Sequence, residues 1–60
     1  MQNLYKITTP LAIFFFESEN QIIVSVYNKQ LEGYIGKELF EIIKYCESKN
    51  YSIEKCEKIN

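Results

Sequence analysis

Six consecutive apolar residues, Leu11-Ala12-Ile13-Phe14-Phe15-Phe16, constrain this chain more than any other stretch. Pro10 precedes the run and Glu17-Ser18-Glu19-Asn20 follows it, which gives it the length and flanks of a strand, not a helix. Side chains alternate between the two faces of a strand, so this one repels water on both. Only 60 residues are present to cover those faces. Residues 1–60 form a single domain, near the lower limit of independent stability, because a chain of this size buries only about 60% of its unfolded surface.

Composition then removes whole classes of chemistry. The chain has no His, Asp, Arg or Trp. Without His, the ordinary neutral-pH proton carrier and commonest metal ligand are missing. Without Arg, there is no planar fork for phosphate, carboxylate or guanine. A net charge of −1 provides no field to steer a polyanion or a membrane surface. Ile, Lys, Asn, Tyr and Phe make up half the chain. All five have AT-rich codons, which points to a low-GC genome and to a phage or other mobile element.

The apolar run is shorter than the core of about 7–15 residues that a signal peptide needs, and far shorter than the roughly 20 of a membrane span. The expectation is a cytoplasmic protein with no membrane partner. Two cysteines without His or Asp cannot complete a standard zinc site, and no cofactor is expected. In a reducing compartment, Cys46 and Cys56 are read as free, buried thiols. A disulfide between them requires the tail to fold back along the helix.

Taken in order, Met1–Thr9 carries Leu4, Tyr5 and Ile7 and reads as a strand or the lead-in to one. Pro10 either breaks it or bends it. Leu11–Phe16 and Gln21–Tyr27 form an antiparallel hairpin through the polar turn Glu17–Asn20. That pairing sets Phe15 against Ile22, Ile13 against Val24 and Leu11 against Val26. The opposite face collects Ala12, Phe14 and Phe16 with Ile23, Ser25 and Tyr27. A bulged three-residue loop would scramble the division.

Asn28–Gly36 is a connection, and a helix is predicted over Lys37–Lys49 with Gly36 as N-cap and Ile35 stapled to Phe40. Ile35, Leu39, Ile42, Ile43 and Cys46 form its apolar stripe, and Asn50 suits a left-handed stop. Tyr51–Cys56 reads as a last strand, against a competing helical turn through Ile53, Cys56 and Ile59. A right-handed crossover lays that strand parallel to Gln21–Tyr27. The fold class is α+β: a small two-layer β-β-α-β arrangement, an antiparallel hairpin plus a C-terminal strand, with one helix packed on one sheet face.

No motif carries chemistry past its structural explanation. Gly33-Tyr34-Ile35-Gly36 has the spacing of an RNA-clamping loop, but Glu32 precedes it and basic neighbours are missing. Gly36-Lys37-Glu38 lacks the earlier glycine and the following Ser or Thr of a phosphate-binding loop. Glu17/Glu19 and Glu54/Glu57 are solvated charge, not an acid/base couple, and Cys46 lies on the helix's apolar stripe with no His to activate it.

What remains is a surplus of apolar surface. If the helix covers Leu11, Ile13, Phe15, Ile22, Val24 and Val26, then Phe14, Phe16, Ile23 and Tyr27 are left facing outward as the partner-binding residues. The expected function is a non-enzymatic protein–protein interaction module: a homodimer, or a small inhibitor or adaptor of a host protein. The alternative is a single-stranded nucleic-acid binder or regulatory protein that stacks bases on the aromatic face, which the near balance of Lys and Glu disfavours.

Overall fold

The computed structural model describes residues 2–56. Three strands lead the chain: β1 (Asn3–Thr8), β2 (Ile13–Glu19) and β3 (Ile22–Val26). A 3₁₀ segment (Lys29–Tyr34), one helix, α1 (Leu39–Ser48), and a last strand, β4 (Ser52–Cys56), complete it. The sheet runs in the order β3-β2-β1-β4 with every pair antiparallel, and α1 packs against it. The α+β class and the C-terminal strand match the sequence reading, and the N-terminal segment is a paired strand, so the sheet has four strands where the β-β-α-β order had three. The expected hairpin strands do pair, but Phe16 lies opposite Val26 and Glu19 opposite Ile22, not Phe15 opposite Ile22, Ile13 opposite Val24 or Leu11 opposite Val26, because the turn lies later in the chain. The tail beyond Cys56, and with it Glu57 and Ile59, lies outside the described residues.

The placement of β4 corrects the expected topology. It runs beside β1, antiparallel to it, with Ile53 opposite Ile7 and Lys55 opposite Tyr5. It is therefore antiparallel to β3 as well, not parallel. The reason lies in β1: a paired N-terminal strand offers a free margin, and α1 crosses the sheet obliquely to reach it. The helix starts beside the β2–β3 turn, where Leu39 N–H donates to Gln21 C=O at 2.7 Å. It ends where Tyr51 leads into β4.

Pro10 breaks the chain rather than bending it. Residues 9–12 join β1 to β2, with Pro10-Leu11 at the tip and Thr9 N–H donating to Ala12 C=O at 2.9 Å across the base. The second hairpin turns at Asn20-Gln21, both with positive φ (53° and 69°), the mirror-image turn that matches strand twist. Glu17, Ser18 and Glu19, predicted as turn, thus belong to β2.

The helix is shorter at its start than predicted. Gly36 (φ 89°) does not cap it; its N–H donates to Ile23 C=O at 2.8 Å, and Lys37 C=O accepts from Ile23 N–H at 2.9 Å. Residues 36–39 thereby run along the outer margin of β3, and Glu38 serves as N-cap. Ile35 and Phe40, expected as a staple, are both exposed. The far end follows the prediction. Asn50 is left-handed (φ 60°), Tyr51 N–H donates to Cys46 C=O at 2.9 Å and Asn50 N–H to Glu47 C=O at 3.2 Å, the paired bonds of a Schellman stop.

The core is built from Ile7, Phe16, Ile23, Leu31, Leu39, Ile42 and Cys46, with Tyr5, Phe14, Val26, Ile43 and Ile53 packed against it. The helix therefore covers the face opposite to the one expected. Phe16 and Ile23, both 0% exposed, lie at the centre of the core, while Leu11, Ile13 and Val24 are exposed. Register across β1 decides this. Tyr5 is opposite Phe16 and Ile7 opposite Phe14, so one face gathers the larger set of rings and branched chains.

Candidate protein interface

The face of the sheet that the described residues leave uncovered is set by the same registers. Leu4 stands opposite Glu17, Lys6 opposite Phe15 and Thr8 opposite Ile13, all on the side away from α1. A bulge completes the set. Glu17 pairs with Ser25 but Ser18 with Ile23, so Val24 is an extra residue in β3. Beyond it, the alternation of β3 is reversed relative to β2. Val26 turns in toward the core and Tyr27 turns out beside Phe15, whose C=O accepts from Tyr27 N–H at 3.0 Å.

Of the four predicted interface residues, only Tyr27 is exposed, at 60%. Phe14, Phe16 and Ile23 do share one face, as expected, but α1 covers it. Their place outside is taken by Ile13 and Tyr27, both exposed, and by half-buried Leu4 and Phe15. A shallow depression of about 390 Å³ lies among Leu4, Phe15, Glu17 and Tyr27. Its polar feature is Glu17, only 7% exposed, whose carboxylate accepts a 2.8 Å hydrogen bond from the Tyr27 hydroxyl. That bond fixes the Tyr27 ring over the face. Asn28 holds the neighbouring backbone, its Oδ1 accepting from Phe15 N–H at 3.0 Å. Toward β4 the surface becomes charged, with Lys6 Nζ 3.1 Å from Glu54 Oε1.

A second concavity lies on the helix side, at the end of the sheet where β1 stops and β2 and β4 begin. It is a cleft of about 450 Å³. Three tyrosines from three segments form one wall: Tyr34 meets Tyr45 at 6.3 Å between ring centroids, and Tyr45 meets Tyr51 edge-on at 6.1 Å. Ile7, Thr9, Leu11, Ala12, Phe14 and Leu31 also line the cleft. Burial pushes the Tyr34 hydroxyl pKa up, helped by Tyr45, Cys46 and Glu41 nearby. Nothing in the local sequence marks this cleft, because its tyrosines come together only through the tertiary fold.

The cysteines are both free thiols, Cys46 buried and Cys56 half-buried. Burial also pushes the Cys46 thiol pKa up, the opposite of an activated nucleophile. Among the described residues, no group of three or more His, Cys, Asp or Glu side chains is arranged to hold a metal ion. No described helix is long and apolar enough to cross a membrane. The chain matches no protein-family model, no curated protein and no solved structure.

Proposed function

We propose that this chain is a non-enzymatic protein–protein interaction module that binds another protein, as an inhibitor or adaptor, through the uncovered face of its sheet. The observation that carries this reading is the one-sided cover. Among the described residues, a four-stranded sheet has a single helix on one face, while the other presents Ile13, Phe15, Leu4 and a Tyr27 ring held in place by Glu17. An aromatic anchor whose orientation is already fixed binds without an ordering cost, and amphipathic tyrosines are frequent binding hot spots. The low-GC composition fits a mobile-element protein that acts on a host factor.

Glu17 also weighs against the nucleic-acid reading. A base stacked on Tyr27 would bring its phosphate toward the carboxylate bonded to that hydroxyl at 2.8 Å, where a strand-binding groove needs a cation.

The test is co-purification from the native cell with the tagged parent and with a Phe15→Ser/Tyr27→Ser double variant checked for native circular dichroism. One protein retained in stoichiometric amount by the parent and lost by the variant supports the proposal. The same retained set for both overturns it. A salt-sensitive mobility shift with oligonucleotides would turn the assignment to nucleic acid.

A further inference from the structure

The depression on the face that the described residues leave uncovered has a carboxylate among its apolar walls. Glu17, 7% exposed, lines it together with Leu4, Phe15 and Tyr27. A charged side chain is seldom buried this far, because leaving water costs an ion much more than a neutral group. The Tyr27 hydroxyl offsets part of that cost with its 2.8 Å hydrogen bond to Oε1, but a phenol is a neutral donor and brings no countercharge. Lys6 stands opposite Phe15 on the same face, with its ammonium directed to β4, 3.1 Å from Glu54 Oε1.

We propose, resting on the reading of this face as a protein interface, that the depression takes a basic side chain of the partner, arginine or lysine. Its cationic head meets the Glu17 carboxylate, and its stem lies along Leu4, Phe15 and the Tyr27 ring. A partner that covers this face strips the remaining water from Glu17 and has to return a donor to it. A cation supplies both the hydrogen bond and the opposite charge. An uncharged apolar surface laid there would desolvate the carboxylate with nothing in exchange, so the group that admits a cation also rejects a neutral partner. The walls suit the rest of such a side chain. Lysine and arginine carry an apolar stem below the charged head, and aromatic rings attract cations to their faces. The Tyr27–Glu17 bond holds ring and carboxylate in place before contact, which removes an ordering cost.

The test is an NMR titration of the intact, isotope-labelled chain with four capped tripeptides at constant ionic strength. Each has glycine on both sides of a central arginine, lysine, norleucine or glutamate. The arginine and lysine peptides are expected to shift the Glu17 carboxyl carbon and the Leu4, Phe15 and Tyr27 side chains along one saturating curve, at millimolar concentrations. Norleucine, the uncharged counterpart of lysine, should bind at least about tenfold more weakly, and glutamate should not saturate. Glu17→Gln keeps the size and an acceptor oxygen while removing the charge, and it should abolish the preference for the cationic peptides. Should that variant not fold, the comparison of lysine with norleucine on the parent decides alone. Norleucine binding as strongly as lysine, cation-induced shifts centred on other residues, or no saturation by either basic peptide up to about 50 mM would each overturn the proposal. None of these outcomes touches the interface reading, which co-purification with the Phe15→Ser/Tyr27→Ser variant decides separately.

Discussion

Tyr5 and Phe16 stand directly opposite each other on β1 and β2 and stack, with ring centroids 5.1 Å apart and planes 9° from parallel. This pair joins the N-terminal strand to the centre of the core and fixes which face of the sheet the helix covers. Replacing Phe16 by Ala should cost about 3–5 kcal/mol through lost burial and the cavity left behind. For a domain this small, that is most or all of the folding free energy. The variant should show an unfolded circular dichroism spectrum at 25 °C. Phe15→Ala, on the uncovered face, should cost only about 1–2 kcal/mol and keep a cooperative urea transition. A reversed order of the two costs would mean the sheet is covered on the other side.

The β2–β3 turn carries strain that can be relieved. Gln21 has φ 69° where glycine is the favoured residue of this turn type. Gln21→Gly should stabilise the fold by about 1 kcal/mol, since a left-handed non-glycine residue costs roughly 1–2 kcal/mol and the added chain entropy offsets part of the gain. The check is a rise in the urea midpoint with no change in slope.

The Thr9 hydroxyl serves three of the four hydrogen bonds that stiffen the first turn. Thr9→Val keeps the shape and removes the hydroxyl, and it should lower stability by about 1–2 kcal/mol. Hydrogen exchange at the Ala12 amide should speed up more than at any β3 amide. A variant as protected as the parent at Ala12 would show that the backbone bond alone holds the loop.

Alkaline pH should weaken the fold. Burial raises the Cys46 thiol above its ordinary 9.0 and the Tyr34 hydroxyl above its ordinary 10.0, so folding favours the protonated form of both. The unfolded chain then releases protons first. Stability is complete below about pH 9 and falls as pH rises from there through the two folded-state values. Urea midpoints at pH 7, 9 and 11 measure the decline, and a flat profile contradicts it. At neutral pH, Cys46 should also alkylate far more slowly than half-buried Cys56.

The elements were largely legible in the chain, and the assignment of faces was not. Leu39, Ile42 and Cys46 at helical spacing identify the buried stripe of α1, and Asn50 its stop. Tyr51–Cys56 likewise reads correctly as a strand whose core is Ser52–Cys56. Three signals were too weak locally. Asn20-Gln21 turns without a glycine, so nothing distinguished it from the more polar residues before it. Val24 is an ordinary strand residue with no mark of a bulge, yet it exchanges the facings of Val26 and Tyr27. The choice of face depends on Tyr5 and Ile7 pairing with Phe16 and Phe14, a contact between strands that neither strand encodes alone. Tyr27 reached the uncovered face because of that bulge; the pairing expected from the sequence puts it on the same face as Phe14 and Phe16.

The segment from Gly36 to Leu39 has one more effect, on how large an assembly this molecule can build. By hydrogen-bonding to Gln21 and Ile23 it covers the first part of β3's outer border, and β4 is the other border of the sheet among the described residues. A filament must add subunits at two ends. A ribbon with one border partly covered offers a shorter template there, so strand-to-strand association by this route is steered to the β4 border and continuous amyloid-like growth is disfavoured.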